Sequence, residues 1–500
     1  MITPLTQIET RTLIIGSGFA GLGMGVQLKR RGDDDFLILE RAGDVGGTWR
    51  DNTYPGAACD VPSHLYSFSF RPNPDWSRVF SPGPEIQSYL QDTAHEEGLR
   101  EHLRLNQNME HARWDETEGR WHVLTPDHEY IAKFLITGTG HLADEAYPNI
   151  PGLDSFTGEK FHSARWDHSV PMEGKRIGVI GTGASAIQIV PEMAEIASEL
   201  VVFQRTPSYI IPRGERAYTE GERRLFRRNP ESITALRSEL FWGGENTFAQ
   251  RRAIPQFLEA GKKLALDHLS SQVPDPELRA KLTPDYEPGC KRVLISNTFY
   301  PALQSPVTTL ESSALASVDG STVTAASGAE YELDVLVFAT GFEATEPPYA
   351  KLVHGRGGLN LSTHWEQGMQ AYDSVTVAGF PNLFSINGPN TSLGHNSIVY
   401  IIESQIDYIL GAMDYMTATG AEIIEPTPEA EEAYVRSIQD NAVGTVWLDG
   451  GCSSWYVDQR SGRLTLIWPD FGYAFRDANG TFHSEGYELR DISAIEPVTV

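Results

Sequence analysis

Two glycine-rich turns in this 500-residue chain share one spacing and end in opposite charge. The first, Gly16-Ser17-Gly18-Phe19-Ala20-Gly21, follows the apolar run Leu13-Ile14-Ile15. Glu40 comes 24 residues after Gly16, at the end of Phe36-Leu37-Ile38-Leu39. The second, Gly181-Thr182-Gly183-Ala184-Ser185-Ala186, follows Ile177-Gly178-Val179-Ile180. Arg205 comes the same 24 residues after Gly181, behind Leu200-Val201-Val202-Phe203-Gln204. In a strand–turn–helix unit such glycines let backbone amides approach a pyrophosphate at a helix N-terminus. The residue ending the next strand meets the adenosine ribose, where a carboxylate accepts two hydroxyls and an arginine suits a 2′-phosphate. The first site therefore reads as one for FAD (or NAD) and the second as one for NADPH. That pairing implies electrons moving from NADPH to a flavin.

Such turns work only between a strand and a helix. Residues 11–50 read as strand, turn, helix and strand, the start of a doubly wound sheet. Phe134-Leu135-Ile136-Thr137-Gly138-Thr139-Gly140 and Asp334-Val335-Leu336-Val337-Phe338-Ala339-Thr340-Gly341-Phe342 are short apolar strands that each meet a glycine turn. The Pro- and Gly-rich stretch from Tyr54 to Pro84 has enough aromatics to pack. Pro148 to Gly158 reads as a linker, a second nucleotide unit begins at Lys175, and the charged stretch 219–282 reads as inserted helices. The expected fold is α/β, with two Rossmann-like dinucleotide-binding domains, one for FAD and one for NADPH. The second is inserted into the first, and a small helical insertion follows. The expected limits are 1–145 and 345–500 for the FAD domain, 150–215 and 290–344 for the NADPH domain, and 216–289 for the helical insertion.

Composition excludes several partners. Forty basic against 67 acidic residues give a net charge of −27, which argues against nucleic acid or an anionic membrane surface. Cys59, Cys290 and Cys452 lie far apart with no CxxC, so no disulfide framework is expected and a reducing cytosol fits. Met1-Ile2-Thr3-Pro4-Leu5-Thr6 lacks a signal-peptide pattern, and no apolar run approaches the roughly 18 residues of a membrane span. The strongest helical candidate, about Ser397 to Met416, carries Glu403, Asp407 and Asp414 and reads as amphipathic. A cytoplasmic chain without a metal site is expected; its oligomeric state is not read.

Between the two nucleotide units stands Phe156-Thr157-Gly158-Glu159-Lys160-Phe161-His162-Ser163-Ala164-Arg165-Trp166-Asp167. It is similar to the FxGxxxHxxxW(P/D) fingerprint of the Baeyer–Villiger monooxygenases, with Phe156, Gly158, His162, Trp166 and Asp167 filling the signature positions. Gly46-Gly47-Thr48-Trp49 and Tyr54-Pro55-Gly56-Ala57-Ala58-Cys59-Asp60 resemble the family's flavin-facing stretch. Gly289-Cys290-Lys291-Arg292 resembles its Lys-Arg step, and Gln204-Arg205-Thr206-Pro207 its NADPH-phosphate motif. Phe338 to Phe342 looks like its second nucleotide-edge motif, and Ser454-Trp455-Tyr456 like the segment whose Trp closes over bound NADP. The cofactor-binding residues so implied are Gly16, Gly18, Phe19, Ala20, Gly21, Glu40, Gly47, Thr48, Trp49, Asp60, Tyr66, Gly181, Thr182, Gly183, Ala184, Ser185, Arg205, Thr206, Lys291, Thr340, Gly341 and Trp455. Two departures stand out: many members carry Arg where Ala58 stands, and a Gly-Ala-Asn-Ile-Pro-Gly-Lys run where Val457-Asp458-Gln459-Arg460 follows here.

The resemblance implies a ketone substrate and O₂. NADPH would reduce the flavin, O₂ would add at its C4a carbon, and the resulting peroxide would attack the carbonyl. One carbon then migrates to oxygen, giving an ester or lactone. Negative charge appears on the peroxide and then on the adduct, so a fixed cation in a water-poor pocket is needed. Arginine suits that role because its guanidinium keeps its proton. By the family match Arg292 is that cation, Asp60 the carboxylate that holds it, and Lys291 a partner of the NADPH 2′-phosphate beside Arg205. Read without the resemblance, a Lys-Arg step is an ordinary surface feature and an Asp after Cys can simply cap a turn. Three rivals are weighed. A flavin-containing monooxygenase would oxidise amines or sulfides, a disulfide reductase would need a cysteine pair, and a non-catalytic dinucleotide sensor would need only the fold.

Overall fold

The computed structural model describes residues 5–491. Most of the expected leaderless start, Met1 to Pro4, and the outer limits 1 and 500 lie outside the described residues. Strand β1 (Thr6–Ile15) begins polar and ends in the buried Leu13, Ile14 and Ile15. The helix Phe19–Arg30 follows, then β2 (Phe36–Leu39), buried at every position. β2 pairs in parallel with β1, and β3 (Leu103–Arg104) pairs in parallel with β2. β4 (His111–Asp115), β5 (Arg120–Leu124) and β6 (His128–Thr137) form an antiparallel run that brings β6 back beside β1 in parallel. The central strands are apolar on both faces because helices cover both sides, the usual reason a parallel strand reads as a continuous apolar run.

A second sheet is built from later residues: β7 (Glu159–His162), β8 (Arg176–Ile180) and β9 (Glu199–Phe203). β10 (Ile210–Ile211) pairs in parallel with β11 (Leu294–Ile295). Between them lie five helices, from Glu220–Arg228 to Pro276–Lys281. β12 (Thr308–Glu311) joins the second sheet, and β13 (Leu315–Asp319), β14 (Thr322–Ala325) and β15 (Glu330–Glu332) make a small antiparallel sheet. β16 (Val335–Phe338) completes the all-parallel order β12-β9-β8-β16-β7. The chain then returns to the first sheet, where β17 (Val353–His354) pairs with β4 and β18 (Leu383–Ser385) with β6. The architecture is a mixed α/β fold with two largely parallel sheets.

The helix Ile398–Thr419 lies against Phe19–Arg30, and Gly23 permits the close approach. A Cβ on Gly23 would fall 2.9 Å from the Phe68 ring and 3.0 Å from Ile406. Each buried Ile or Met on this helix contributes roughly 1.5–3 kcal/mol of transfer free energy. Asp407 and Asp414 face water as an amphipathic reading requires, but Glu403 does not. It is buried and accepts the Ser69 N–H at 2.6 Å, so the helix is enclosed more completely than its charges suggest. No helix among the described residues is long and apolar enough to cross a membrane.

The cysteine reading needs correction. Cys290 and Cys452 form a disulfide across 162 residues, with Cα atoms 6.1 Å apart, and Cys59 alone is free. The loop before β11 and the segment before Trp455 meet where the Glu287 N–H donates to the Gly450 carbonyl at 2.8 Å. That meeting sets the two sulfurs side by side against Tyr209 and Tyr286. Spacing along the chain carries no trace of it, and the inference of a reducing compartment from cysteine spacing falls with it.

Two enclosed histidines give the fold an acid limit. His64 is 1% exposed, lies edge-on to Tyr218 and Phe226, and has no partner for either ring nitrogen among the described residues. His141 is buried beside Thr391. Burial pulls both down to about 4, and the Arg237 charge adds to the effect at His64. The unfolded chain, with histidines near 6.5, therefore takes up these protons first. Stability is intact above about pH 6.5 and is lost as the pH falls from there toward about 4. Urea unfolding at pH 5 should show about 2 kcal/mol less stability per histidine than at pH 7. His64→Phe should remove its share of that loss; an unchanged pH 5 deficit in this variant would refute the assignment.

Candidate active site

The first glycine turn is shaped by close backbone approach. Gly16 has φ +100°, and a Cβ there would fall 2.6 Å from the Gly138 carbonyl oxygen at the end of β6. At Gly21 a Cβ would collide with the Gly16 carbonyl, so the helix Phe19–Arg30 sits tightly on the turn. Its N-cap is Gly18, which offers no side-chain cap and leaves the first helical amides for a ligand. Gly16, Gly18 and Gly138 line a cavity together with Glu40, Thr48, Trp49 and Tyr66. Trp49 donates its indole N–H to the Tyr66 hydroxyl at 3.1 Å. An anionic pyrophosphate fits the amide-lined turn.

Glu40 is 4% exposed and well supplied with donors. One oxygen accepts the Ser17 N–H at 3.1 Å and its hydroxyl at 2.6 Å. The other accepts the Ala42 N–H at 2.9 Å and pairs with Arg50 at 2.8 Å. Arg50 also holds Asp51, and both line the cavity; neither stands out in the sequence.

The second turn repeats the design at the edge of β8. Gly181 has φ +114°, and a Cβ there would fall 2.5 Å from the Ala339 carbonyl. Gly183 opens on empty space, Ala184 is exposed, and Ser185 caps the helix Ala186–Ile196 with no side-chain bond. The Thr182 hydroxyl donates to the Thr206 carbonyl at 3.2 Å. Arg205 is exposed, and Lys291 lies near enough to feel its charge. Burial, then Arg205, pull the Lys291 ammonium below its ordinary value. No carboxylate pairs with either side chain among the described residues. Two neighbouring cations, neither held in an ion pair among the described residues, fit a phosphate dianion.

The fingerprint segment joins the two sheets. β7 pairs with β16, and a Cβ on Gly158 would collide with the Asp334 carbonyl. His162 is fully buried; its Nδ1 accepts the Ala164 N–H at 3.1 Å and its Nε2 has no partner among the described residues. Phe156 is buried, and Trp166 packs edge-on to Phe161 at 5.1 Å. Asp167 accepts from Ser169. Between Trp166 and the first cavity, Arg165 reaches Asp51 at 3.6 Å and Glu145 at 3.3 Å. Gly341 has φ +89°, and the Thr340 hydroxyl donates to the Ala146 carbonyl at 2.6 Å. A second tie comes from the helix Ala186–Ile196. Gln188 accepts the Tyr54 hydroxyl at 2.9 Å and donates to the Ala58 carbonyl at 2.9 Å.

Arg292 and Asp60 meet as a two-point ion pair. Nε donates to Oδ2 and Nη2 to Oδ1, both at 2.7 Å. The Asp60 charge, outweighing burial, holds the guanidinium far above any accessible pH. Burial pulls the Asp60 carboxyl up, but Arg292 overcomes it and leaves the group below the usual carboxylate range. Both side chains keep about a third of their surface open, 31% and 27%, so the pair can be reached from outside the core. The charges of Asp60 and Arg292 also reach the hydroxyl of Tyr66, which lines the first cavity, although neither residue lines it itself. Trp455 stands apart: it is 41% exposed, tilted over Tyr456 at 4.9 Å, and outside that cavity. Asp115, Glu118 and His122 bring possible ligand atoms within 4.8 Å of one another. Both His122 nitrogens are already held there by Glu129 and Glu118.

Comparison with known proteins follows this geometry. Residues 13–211 match the family described as pyridine nucleotide-disulphide oxidoreductase. That span contains one cysteine, Cys59, so it offers no dithiol of its own. Over 470 residues, 94% of this chain and 90% of the relative, the sequence is 47% identical to a Baeyer-Villiger monooxygenase of Streptomyces coelicolor. The fold is similar to that of cyclohexanone monooxygenase from Rhodococcus sp. Phi1 bound to NADP+, with a TM-score of 0.87 and 28% identity over 97% of this chain and all of that one. It is also similar to OTEMO in complex with FAD and NADP, with a TM-score of 0.86 and 27% identity over 96% and 99% of the two chains. With two glycine turns, the fingerprint between them and near full-length identity of this order, the chain belongs to the Baeyer–Villiger monooxygenase family.

Proposed function

We propose that this protein is an FAD-dependent, NADPH- and O₂-consuming monooxygenase that converts a ketone to an ester or lactone. The balanced reaction takes ketone, O₂, NADPH and a proton to ester, NADP+ and water. The observation that carries it is the two-point Arg292–Asp60 pair beside the amide-lined cavity. FAD, reduced by NADPH, supplies the oxygen-activating chemistry when bound. The first sheet, with 1–145 and 345–500, would hold FAD through the Gly16–Gly21 turn and Glu40. The second, with 150–215 and 290–344, would hold NADPH through the Gly181–Ala186 turn, Arg205 and Lys291, with the helices of 216–289 beside it.

Arg292 provides a permanent positive charge where the carbonyl oxygen becomes negative. Asp60 occupies Nε and Nη2 and so fixes the guanidinium plane, with Nη1 outside that two-point contact. His162, paired with β16, and Trp166, next to the Arg165 that reaches Asp51, would pass nucleotide binding at one sheet to the other. A cytoplasmic setting, where NADPH is regenerated, suits this reading. The test is a panel of cyclic, aromatic and aliphatic ketones supplied with NADPH and O₂, with products analysed by mass spectrometry. Esters or lactones one oxygen heavier are expected. S-oxides or N-oxides alone, from added sulfides or amines, would replace this reading with heteroatom oxidation.

A further inference from the structure

Tyr456 carries a buried hydroxyl whose proton finds no acceptor among the described residues. The residue is 2% exposed, and its phenolic oxygen has no hydrogen-bond partner among the described residues. The side chain is held in a core that includes Phe248, Trp447 and Ile467. The Thr465 and Leu466 N–H groups donate to its carbonyl at 3.3 and 3.4 Å. The hydroxyl is therefore fixed in place by packing.

Its charged surroundings consist of Arg292 and Arg251, with Asp60 beyond. Arg251 is 7% exposed and bonds only neutral oxygens. Nη2 donates to the Gly394 carbonyl at 2.7 Å, and Nη1 to the Thr247 carbonyl and the Gln250 side chain at 3.1 Å. Burial, and the like charge of Arg292, pull Arg251 down to about 10. Its charge nevertheless persists at neutral pH. A guanidinium has donors and no acceptor. Arg292 lies close enough for an N–H to reach the Tyr456 oxygen, but that contact supplies a donor and leaves the phenolic proton without an acceptor among the described residues. The two Asp60 oxygens are engaged by Arg292 itself. Two guanidiniums beside one hydroxyl leave donors in excess, and the missing partner is an acceptor.

A buried hydroxyl without a partner is destabilising, so a group kept in that state calls for a ligand that completes it. We propose that the Tyr456 hydroxyl is a catalytic hydrogen-bond donor to the ketone oxygen, acting with Nη1 of Arg292. The proposal rests on the ketone-oxygenating function above. As the carbonyl carbon becomes tetrahedral its oxygen gains negative charge, and bonds from both donors strengthen in step with it. Burial pushes the phenol above its ordinary value despite the two guanidiniums, so it stays protonated and keeps a proton to donate. No proton transfer is required of it.

The experiment compares wild-type and Tyr456→Phe holoenzymes with the ketone that the panel converts fastest. Ester kcat should fall about 10²-fold, the scale of losing one oxyanion donor. NADPH KM and anaerobic flavin reduction should not change, and more hydrogen peroxide should be released per NADPH consumed. The melting temperature without ketone should hold or rise, because the variant loses an unpaired buried hydroxyl rather than a bond. Unchanged ester kcat and coupling would overturn the proposal. So would a lower melting temperature together with equal losses of flavin reduction and ester formation, which would mark a structural hydroxyl. If the wild-type enzyme converts no ketone, the functional reading fails first, whatever the variant does.

Discussion

Arg292→Ala should lower ester formation by about 10³-fold or more while NADPH still bleaches the bound flavin at its normal rate. One oxyanion donor is worth about 10²–10³ in kcat, and this variant removes a full charge as well as the Nη1 donor. The hydride step needs neither, because the candidate NADPH contacts are the Gly181 turn, Arg205 and Lys291, whereas the Arg292 guanidinium is engaged by Asp60. NADPH consumption should continue, uncoupled, with hydrogen peroxide as its product. Arg292→Lys should rescue little. An ammonium cannot make the two-point contact with Asp60, and a partly buried lysine can lose its proton. Asp60→Asn tests the other half of the pair: the charge stays, its direction is lost, and a smaller loss of about 10–10²-fold follows if orientation matters. Rapid-mixing absorbance without oxygen, and product analysis with it, separate the two half-reactions. If Arg292→Ala oxygenates ketones normally, the residue has no part in the chemistry.

How much of this was legible in the sequence depends on the range of each interaction. Gly16, Gly21 and Glu40 could be read because a strand–turn–helix unit fixes their relation within a few dozen residues, and the backbone contacts at Gly138 follow. The same local logic gave Gly181 and Arg205. Arg292 and Asp60 are 232 residues apart, and nothing in either neighbourhood predicts a two-point pair; only likeness to known sequences pointed to it. Gln188 and Ala58, 130 apart, carried no signal at all. That contact lets a glutamine from the second sheet's helix hold the Ala58 backbone.

The cysteines show the opposite failure. Their spacing was read as evidence of separation, yet Cys290 and Cys452 are brought together by chain segments that meet only in the folded protein. Tyr456 was read as the neighbour of Trp455, the residue with the family match. In the structure Trp455 lies at the surface and Tyr456 is the one turned inward. Residue type alone could not separate them, because which of two adjacent aromatics faces the core is set by the pairing around Leu464 and Leu466.

Arg205→Ala should raise KM for NADPH by about 10–10²-fold and leave KM for NADH where it is. A hydrogen bond to a charged partner contributes about 1.5–3 kcal/mol, and only NADPH carries the 2′-phosphate that Arg205 would meet. Lys291→Ala should act in the same direction. Lys291 is more enclosed than Arg205 and its charge is opposed by the neighbouring guanidinium, so a bound phosphate would relieve that opposition. Losing either cation therefore makes the other less costly in the free enzyme, and the double variant should lose less than the sum of the two single losses. Salt separates this account from a merely structural one. Arg205 is exposed, so its attraction is screened within about 10 Å at 0.1 M ionic strength. Wild-type KM for NADPH should climb with added salt, KM for NADH should not, and the slope should flatten in Arg205→Ala. Parallel losses for both nucleotides, or a salt slope that survives the substitution, would mean that the 2′-phosphate is held elsewhere.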